Sequence, residues 1–206
     1  SATFLIGLKM NNTFFSGDWN SPLMYLGYLG LFLGIMYTGF LKLAYNGLGD
    51  LAVFIGFGPL MVYGAAFMQN QAVAPTQTID PITTLFYSIP VGIFIALVLF
   101  INCFQDYNAD KAANKNSWVV KLAGPSEKAN YRKPFVVWRN LMLISFLLIG
   151  GASVYAGNYF TLIALLPLLI FNFANKKGMS WLVEWEKEDA NLQQLPYELL
   201  IVNVST

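Results

Sequence analysis

Asn102, Asp106 and Asp110 fall four residues apart in the segment Asn102-Cys103-Phe104-Gln105-Asp106-Tyr107-Asn108-Ala109-Asp110. On a continuous helix that spacing stacks side chains along one face. The face would then present two carboxylates and an amide oxygen. Like charges at this separation repel, and ionisable groups where an apolar segment leaves a membrane are costly. A divalent cation reverses the balance, because such hard oxygen ligands suit Mg²⁺ that also holds water and substrate phosphates. A helix ending in two solvated acids explains the same spacing, and on the spacing alone it is the simpler reading.

The neighbouring cations add a second element. Lys111 and Lys115 follow at once, and Lys42 lies in a separate stretch, Tyr37-Thr38-Gly39-Phe40-Leu41-Lys42-Leu43-Ala44-Tyr45. Acids that hold a metal beside lysines that meet phosphate oxygens form a diphosphate site. Lysines that only set topology and snorkel to the interface are the alternative, and for Lys42 and Lys115 both readings stand. Lys121 and Lys128 are assigned the topological role alone. The chain has no histidine and one cysteine, which excludes Ser-His-Asp triads, His-zinc sites, His-ligated haem and internal disulfides. Cys103 reads as a small buried hydrophobe.

The elements that must position these groups are apolar helices. Of 206 residues 56% are hydrophobic and 11% charged, against roughly a quarter charged in a soluble domain, and mean hydropathy is positive. Runs long enough to cross a bilayer extend over Pro22 to Tyr37, Leu48 to Met68, Ile82 to Gln105, Pro134 to Tyr155 and Tyr159 to Ala174, the first of them short. Ala2 to Met10 reads as the tail of a further span, and Leu192 to Val204 as the start of another, so the chain is expected to be an internal piece of a longer protein. Lysines and arginines crowd the connections at residues 40–47, 106–133 and 175–187, while those at 15–21, 70–80 and 156–158 have none. The positive-inside rule places the first set in the cytoplasm. A net charge of +1 gives no polyanion footprint, so nucleic acid is not an expected partner. The fold class that follows is all-α, a polytopic transmembrane helical bundle of about five complete spans in one domain.

The run NCFQDYNADKAANKNSWVVKLAG resembles the second acidic motif of the UbiA superfamily of membrane prenyltransferases. Upstream, YTGFLKLAYNGLGDLAVFIGFGPLMVYGAAFMQ resembles the Tyr-to-Lys connection and the Gly-Leu-Gly-acid helix of the menaquinone-type branch, the 1,4-dihydroxy-2-naphthoate prenyltransferases. The joint match covers roughly Gly34 to Gly124 and is more specific than either motif alone. It implies nine helices around a cavity open to the membrane, with two acidic motifs that bind Mg²⁺ and a prenyl diphosphate. Matched residue by residue, Asn102, Asp106 and Asp110 take the metal-binding second motif, and Tyr37 and Lys42 take the connection that contacts diphosphate. Asp50 falls where the quinone branch carries an acid. Departures are Asn114 in place of a glycine, Asn116-Ser117 in place of Lys/Arg-Thr, and the absence of the first acidic motif, read as truncation.

The resemblance implies transfer of an isoprenoid chain to an aromatic acceptor, with a prokaryotic inner membrane as the setting and the acidic motif on its cytoplasmic side. Asp106 and Asp110 would hold Mg²⁺ against the diphosphate, with Lys42 and Lys115 neutralising the leaving group. Tyr37, Tyr45, Phe54, Phe57 and Phe67 are candidates to line a dry cavity. Asp50 either orients or deprotonates the acceptor or caps the helix that starts there. Rival readings are an alcohol phosphotransferase, whose Gly-x-x-Ala-Arg signature is missing, and a non-catalytic membrane subunit or small transporter with an Asp-pair ion site. A transporter places polar groups near the midplane, whereas these acids gather at one face.

Overall fold

The computed structural model describes residues 2–73, 79–124 and 130–188, and every regular element in them is helical. Helix α1 (Ala2–Phe15) turns into α2 (Pro22–Thr38), where Pro22 sits in the first turn and the Ser21 hydroxyl accepts from the Met24 N–H. This is the ordinary start of a helix, a hydroxyl cap followed by a proline whose missing N–H costs nothing. The next span is one continuous helix, Gly49–Ala72. It begins as α3 (Gly49–Ile55), widens to a π-helix over Gly56–Tyr63 around Pro59, and returns to α-helix as α4 (Gly64–Ala72). Asp80 caps α5 (Pro81–Gln105) by accepting from the Thr83 N–H. Two short helices follow, α6 (Tyr107–Ala112) and α7 (Trp118–Ala123). Helix α8 (Arg132–Ala156) ends on Gly157 at φ 62°, the left-handed conformation that glycine adopts without strain. A 3₁₀ segment, Tyr159–Leu165, leads into α9 (Leu168–Glu188).

Four helices are long and apolar enough to cross a membrane: Gly49–Ala72, Pro81–Gln105, Arg132–Ala156 and Tyr159–Ser180, with Pro22–Thr38 as a shorter apolar helix. Helices therefore occupy all five expected stretches, four of them long and apolar enough to cross a membrane and the one at Pro22–Thr38 shorter, and the architecture is an all-α membrane bundle. The expected helix at Leu192 to Val204 lies outside the described residues. The tail at Ala2 to Met10 continues to Phe15.

The core runs between α5 and α8. Trp138 and Met142 are fully buried, Phe94 meets Phe146 at 5.5 Å between ring centroids, and Phe171 of α9 closes on Trp138 at 6.1 Å. The outward faces stay apolar, with Leu31, Leu147 and Leu169 each more than 60% exposed, as lipid-facing surfaces require. Lipid provides no hydrophobic drive for helix association, so close packing must hold the spans together. The tightest crossing is glycine on glycine. A methyl on Gly58 would lie 2.7 Å from both Gly92 Cα and the Ser88 carbonyl, and one on Gly92 would lie 2.6 Å from the Phe54 carbonyl. In an i to i−5 ladder Pro59 is the residue that would have donated to Phe54. Pro59 has no N–H to donate there, and the Phe54 carbonyl stands close to Gly92.

Candidate functional site

Two connections meet at one end of the bundle, one joining α2 to α3 and the other following α5. The first folds back on the helix it leaves: the Leu43 and Ala44 N–H groups bond the Met36 and Tyr37 carbonyls at 3.1 and 3.0 Å. Lys42 makes the turn at φ 46°, a left-handed conformation uncommon for a residue with a Cβ, and its side chain is exposed. The turn returns at Gly49, against which Ala44 and the Tyr37 ring pack. A methyl there would stand 3.0 Å from Ala44 Cα and 3.6 Å from the ring.

The second connection starts at Asp106, where φ −86° and ψ 3° interrupt the helix between α5 and α6. The expected single face is consequently broken. Asn102 and Asp106 are exposed, while Asp110 is 6% exposed. Asp110 Oδ1 accepts from Lys115 Nζ at 3.0 Å, and among the described residues its Oδ2 has no partner. Asn114 reverses the chain at φ 52°, which brings the Lys115 N–H onto the Asp110 carbonyl at 2.8 Å. Asparagine tolerates this conformation better than most residues, so Asn114 does the conformational work of the glycine it replaces. Burial acts to lower the Lys115 pKa, but the hydrogen bond and charge of Asp110 outweigh it and hold the ammonium above its ordinary value.

Asp50 joins these groups from α3. It is 6% exposed and its Oδ1 has no partner among the described residues. Its own backbone N–H and that of Trp118 face the carboxylate, and it lies close enough to Lys115 and Asp110 for their charges to act on it. Leu48, not Asp50, occupies the cap position of α3 and makes no side-chain cap bond. Capping accounts for one side of the carboxylate at most. Tyr37 is half-buried within reach of the Asp50 and Lys115 charges, and Tyr45 is 40% exposed on the turn. Tyr37, Asp50, Asp110 and Lys115 thus converge, Lys42 and Tyr45 lie on the strap beside them, and Asn102 and Asp106 sit on the exposed end of α5. Cys103 is buried in the core, as expected.

Sequence reasoning missed what fastens the two connections. Lys121 does more than set topology, since its Nζ donates to the Asn46 carbonyl at 2.8 Å. Trp118 Nε1 donates to the Gly47 carbonyl at 2.7 Å, and the Asn116 N–H to the Tyr45 carbonyl at 2.8 Å. The Asn46-Gly47 turn pair was the available signal. Lys128 lies outside the described residues.

An apolar hollow of about 380 Å³ opens beside Tyr37 between α2 and the Gly49–Ala72 helix and reaches Phe57 and Leu60. Leu60 also borders a larger apolar cavity of about 960 Å³ toward Trp19. Of the aromatic lining candidates, Tyr37 and Phe57 border the hollow, whereas Phe67 stacks on Phe15 at 6.1 Å.

No group of three or more His, Cys, Asp or Glu side chains gathers as metal ligands among the described residues. The donors that are present still fit a hard cation: an unpartnered buried oxygen on Asp110, the exposed Asp106 carboxylate and the Asn102 amide. Their oxygen chemistry is that of a hard-cation site, and the break at Asp106 leaves Asp110 buried and the other two exposed.

Fold and site together define a polytopic helical membrane protein with an acid and lysine cluster at one end of its bundle. The family model described as the UbiA prenyltransferase family matches residues 12–189. The chain belongs to that family. It is 30% identical over 158 residues to UbiA prenyltransferase domain-containing protein 1 of Dictyostelium discoideum, covering 74% of this chain and 44% of the relative. It is 35% identical over 119 residues to 2-carboxy-1,4-naphthoquinone phytyltransferase of Synechocystis, covering 57% and 36%. With 1,4-dihydroxy-2-naphthoate octaprenyltransferase of Escherichia coli it shares 36% identity over 98 residues, covering 47% and 30%. The chain therefore spans less than half the length of these relatives. No solved structure matches it.

Proposed function

We propose that this chain works in an intramembrane prenyltransferase that moves an isoprenoid chain from a prenyl diphosphate to an aromatic acceptor. The acceptor class we infer is a 1,4-dihydroxy-2-naphthoate-like quinone precursor. The observation that carries the reading is the convergence of Asp50, Asp110 and Lys115 from separate helices and loops, near Tyr37, which lines an apolar hollow. Naphthoate-type names among the relatives support the acceptor class.

In this mechanism Lys115 and Lys42 donate to diphosphate oxygens, holding the leaving group where charge grows as the allylic C–O bond breaks. Asn102, Asp106 and Asp110 would hold Mg²⁺, which supplies further positive charge for the departing diphosphate. The electron pair leaves with the diphosphate, the acceptor ring carbon forms the new C–C bond, and the ring then loses a proton. Asp50, with Oδ1 unpartnered beside Tyr37, orients the acceptor hydroxyl and takes up a proton. Tyr37 and Tyr45 border the acceptor and the diphosphate, and the apolar walls exclude water that would consume the cation. The setting we propose is a prokaryotic inner membrane with this lysine-bearing end on the cytoplasmic side.

The test is prenyl transfer by the full-length protein in membrane vesicles with Mg²⁺ and a panel of aromatic acceptors, beside Asp106→Ala and Asp110→Ala. The expected result is Mg²⁺-dependent transfer that both substitutions abolish. Transfer that survives both removes these acids from the mechanism, and no transfer to any acceptor by folded protein overturns the reading.

A further inference from the structure

Three successive carbonyls on the strap between α2 and α3 are each taken by a donor from the other connection. The Tyr45 carbonyl accepts from the Asn116 backbone N–H at 2.8 Å. The Asn46 carbonyl accepts from Lys121 Nζ at 2.8 Å, and the Gly47 carbonyl from Trp118 Nε1 at 2.7 Å. Gly47 itself is at φ 74°, and a methyl on it would stand 2.6 Å from the Asn116 carbonyl and collide with the Lys121 ammonium. Only a glycine lets the strap come this close.

We infer that Trp118 and Lys121 are positioning residues, a latch that fixes the distance between the two halves of the diphosphate site. The strap carries Lys42 upstream of the three carbonyls and leads into Asp50 downstream. The segment that grips it carries Asp110 and Lys115 on its own upstream side. Trp118 also presents its backbone N–H to the Asp50 carboxylate, so one residue ties the strap and the buried acid to the acidic motif. Its indole is braced edge-on against Phe100 of α5 at 6.5 Å, which anchors the latch to a membrane-spanning helix. The turn geometry of Lys42 leaves its side chain exposed, and without the two side-chain bonds of the latch the strap keeps the single Asn116-to-Tyr45 backbone bond across to the other connection, beside its bonds back to α2.

This inference rests on the diphosphate reading above, and the experiment separates the two. Calorimetric binding of inorganic pyrophosphate with Mg²⁺ is measured on the full-length protein in detergent for wild type, Trp118→Phe, Lys121→Met and Lys121→Arg. In parallel, spin labels at Phe40→Cys and Ala113→Cys, both exposed positions, report the distance from the strap to the acidic connection by pulsed electron resonance. Losing one such bond is expected to weaken pyrophosphate binding about tenfold and to broaden the distance distribution, while helix content stays constant. Lys121→Arg is expected to restore both. A broadened distribution with unchanged binding overturns the latch as a positioning device, and so does an unchanged distribution in Trp118→Phe and Lys121→Met. Wild-type protein that binds no pyrophosphate overturns the diphosphate reading and this inference with it.

Discussion

Replacing Gly58 by alanine puts the packing argument at risk at a single methyl. The new Cβ would lie 2.7 Å from Gly92 Cα and 2.7 Å from the Ser88 carbonyl, and both are backbone atoms that no rotamer change can move. Carbon atoms settle at roughly 3.5–4.0 Å, so the Gly49–Ala72 helix and α5 must part by about 1 Å. Overpacking of this sort costs roughly 1–3 kcal/mol, and for a chain of this length each kcal/mol lowers Tm by about 2–4 °C. At an α-helical rise Gly58 lies roughly 12 Å along the helix from Asp50. The displacement therefore travels to the site, where a misplacement of about 1 Å can reduce turnover about 100-fold. Gly56→Ala is the control: nothing stands within 4 Å of its Cβ position and its angles are helical. That change should be neutral or stabilising by up to about 1 kcal/mol. Thermal unfolding in detergent and prenyl transfer in vesicles read the two effects. Equal Tm values for Gly58→Ala and Gly56→Ala would refute the helix-crossing argument. A destabilised Gly58→Ala with full turnover would refute its link to Asp50.

Alkaline unfolding tests the Lys115–Asp110 pair. The folded pKa of Lys115 lies above its ordinary 10.5, so its contribution is complete below that value and is lost as pH rises through the folded one. As pH rises past 10.5 the Tm of wild type should fall more steeply than that of Lys115→Met, with no difference in slope below that value, and parallel curves throughout would show that the pair does not couple to folding. Cys103, 3% exposed, should resist a maleimide in the native protein and react on unfolding. Fast native labelling would contradict its place in the core. Trp138→Ala, at the fully buried centre of the α5–α8 interface, should cost about 3–5 kcal/mol, measured by denaturant titration in mixed micelles.

The spans were legible because intramembrane helices must be long and apolar, and Ile82 to Gln105 differs from the observed α5 by one residue at its start. The acidic motif was legible as residue types and less so as geometry. Spacing by four assumes an unbroken helix, whereas Asp106 interrupts it and Asp110 alone becomes buried. The pairing of Lys115 with Asp110 needed the left-handed Asn114, a backbone choice that a residue name only permits. Lys121 read as a topology signal because charge counting ignores where an ammonium ends, and its acceptor is a backbone carbonyl 75 residues away. The same holds for Trp118, whose indole N–H meets a carbonyl 71 residues earlier. Such bonds leave no trace in the pattern of the donor side chains, and the Asn46-Gly47 pair marks a turn without naming what it meets.

The π-helical stretch from Gly56 to Tyr63 sets the rotational phase of everything beyond it. Each residue of an α-helix advances the side-chain direction by about 100°, and a π turn accommodates one more residue than an α turn does. Deleting any single residue between Gly56 and Tyr63 would let the segment relax toward α-helix with the chain still spanning its length. The half beyond would then keep about its present direction relative to α3, because the residue lost is the one the wider turn absorbs. Met68, now buried, would stay on its facing, whereas the same deletion in the α-helical part of the span would turn it by about 100°. In this span, a residue can be lost without turning the far half only where the helix is wide.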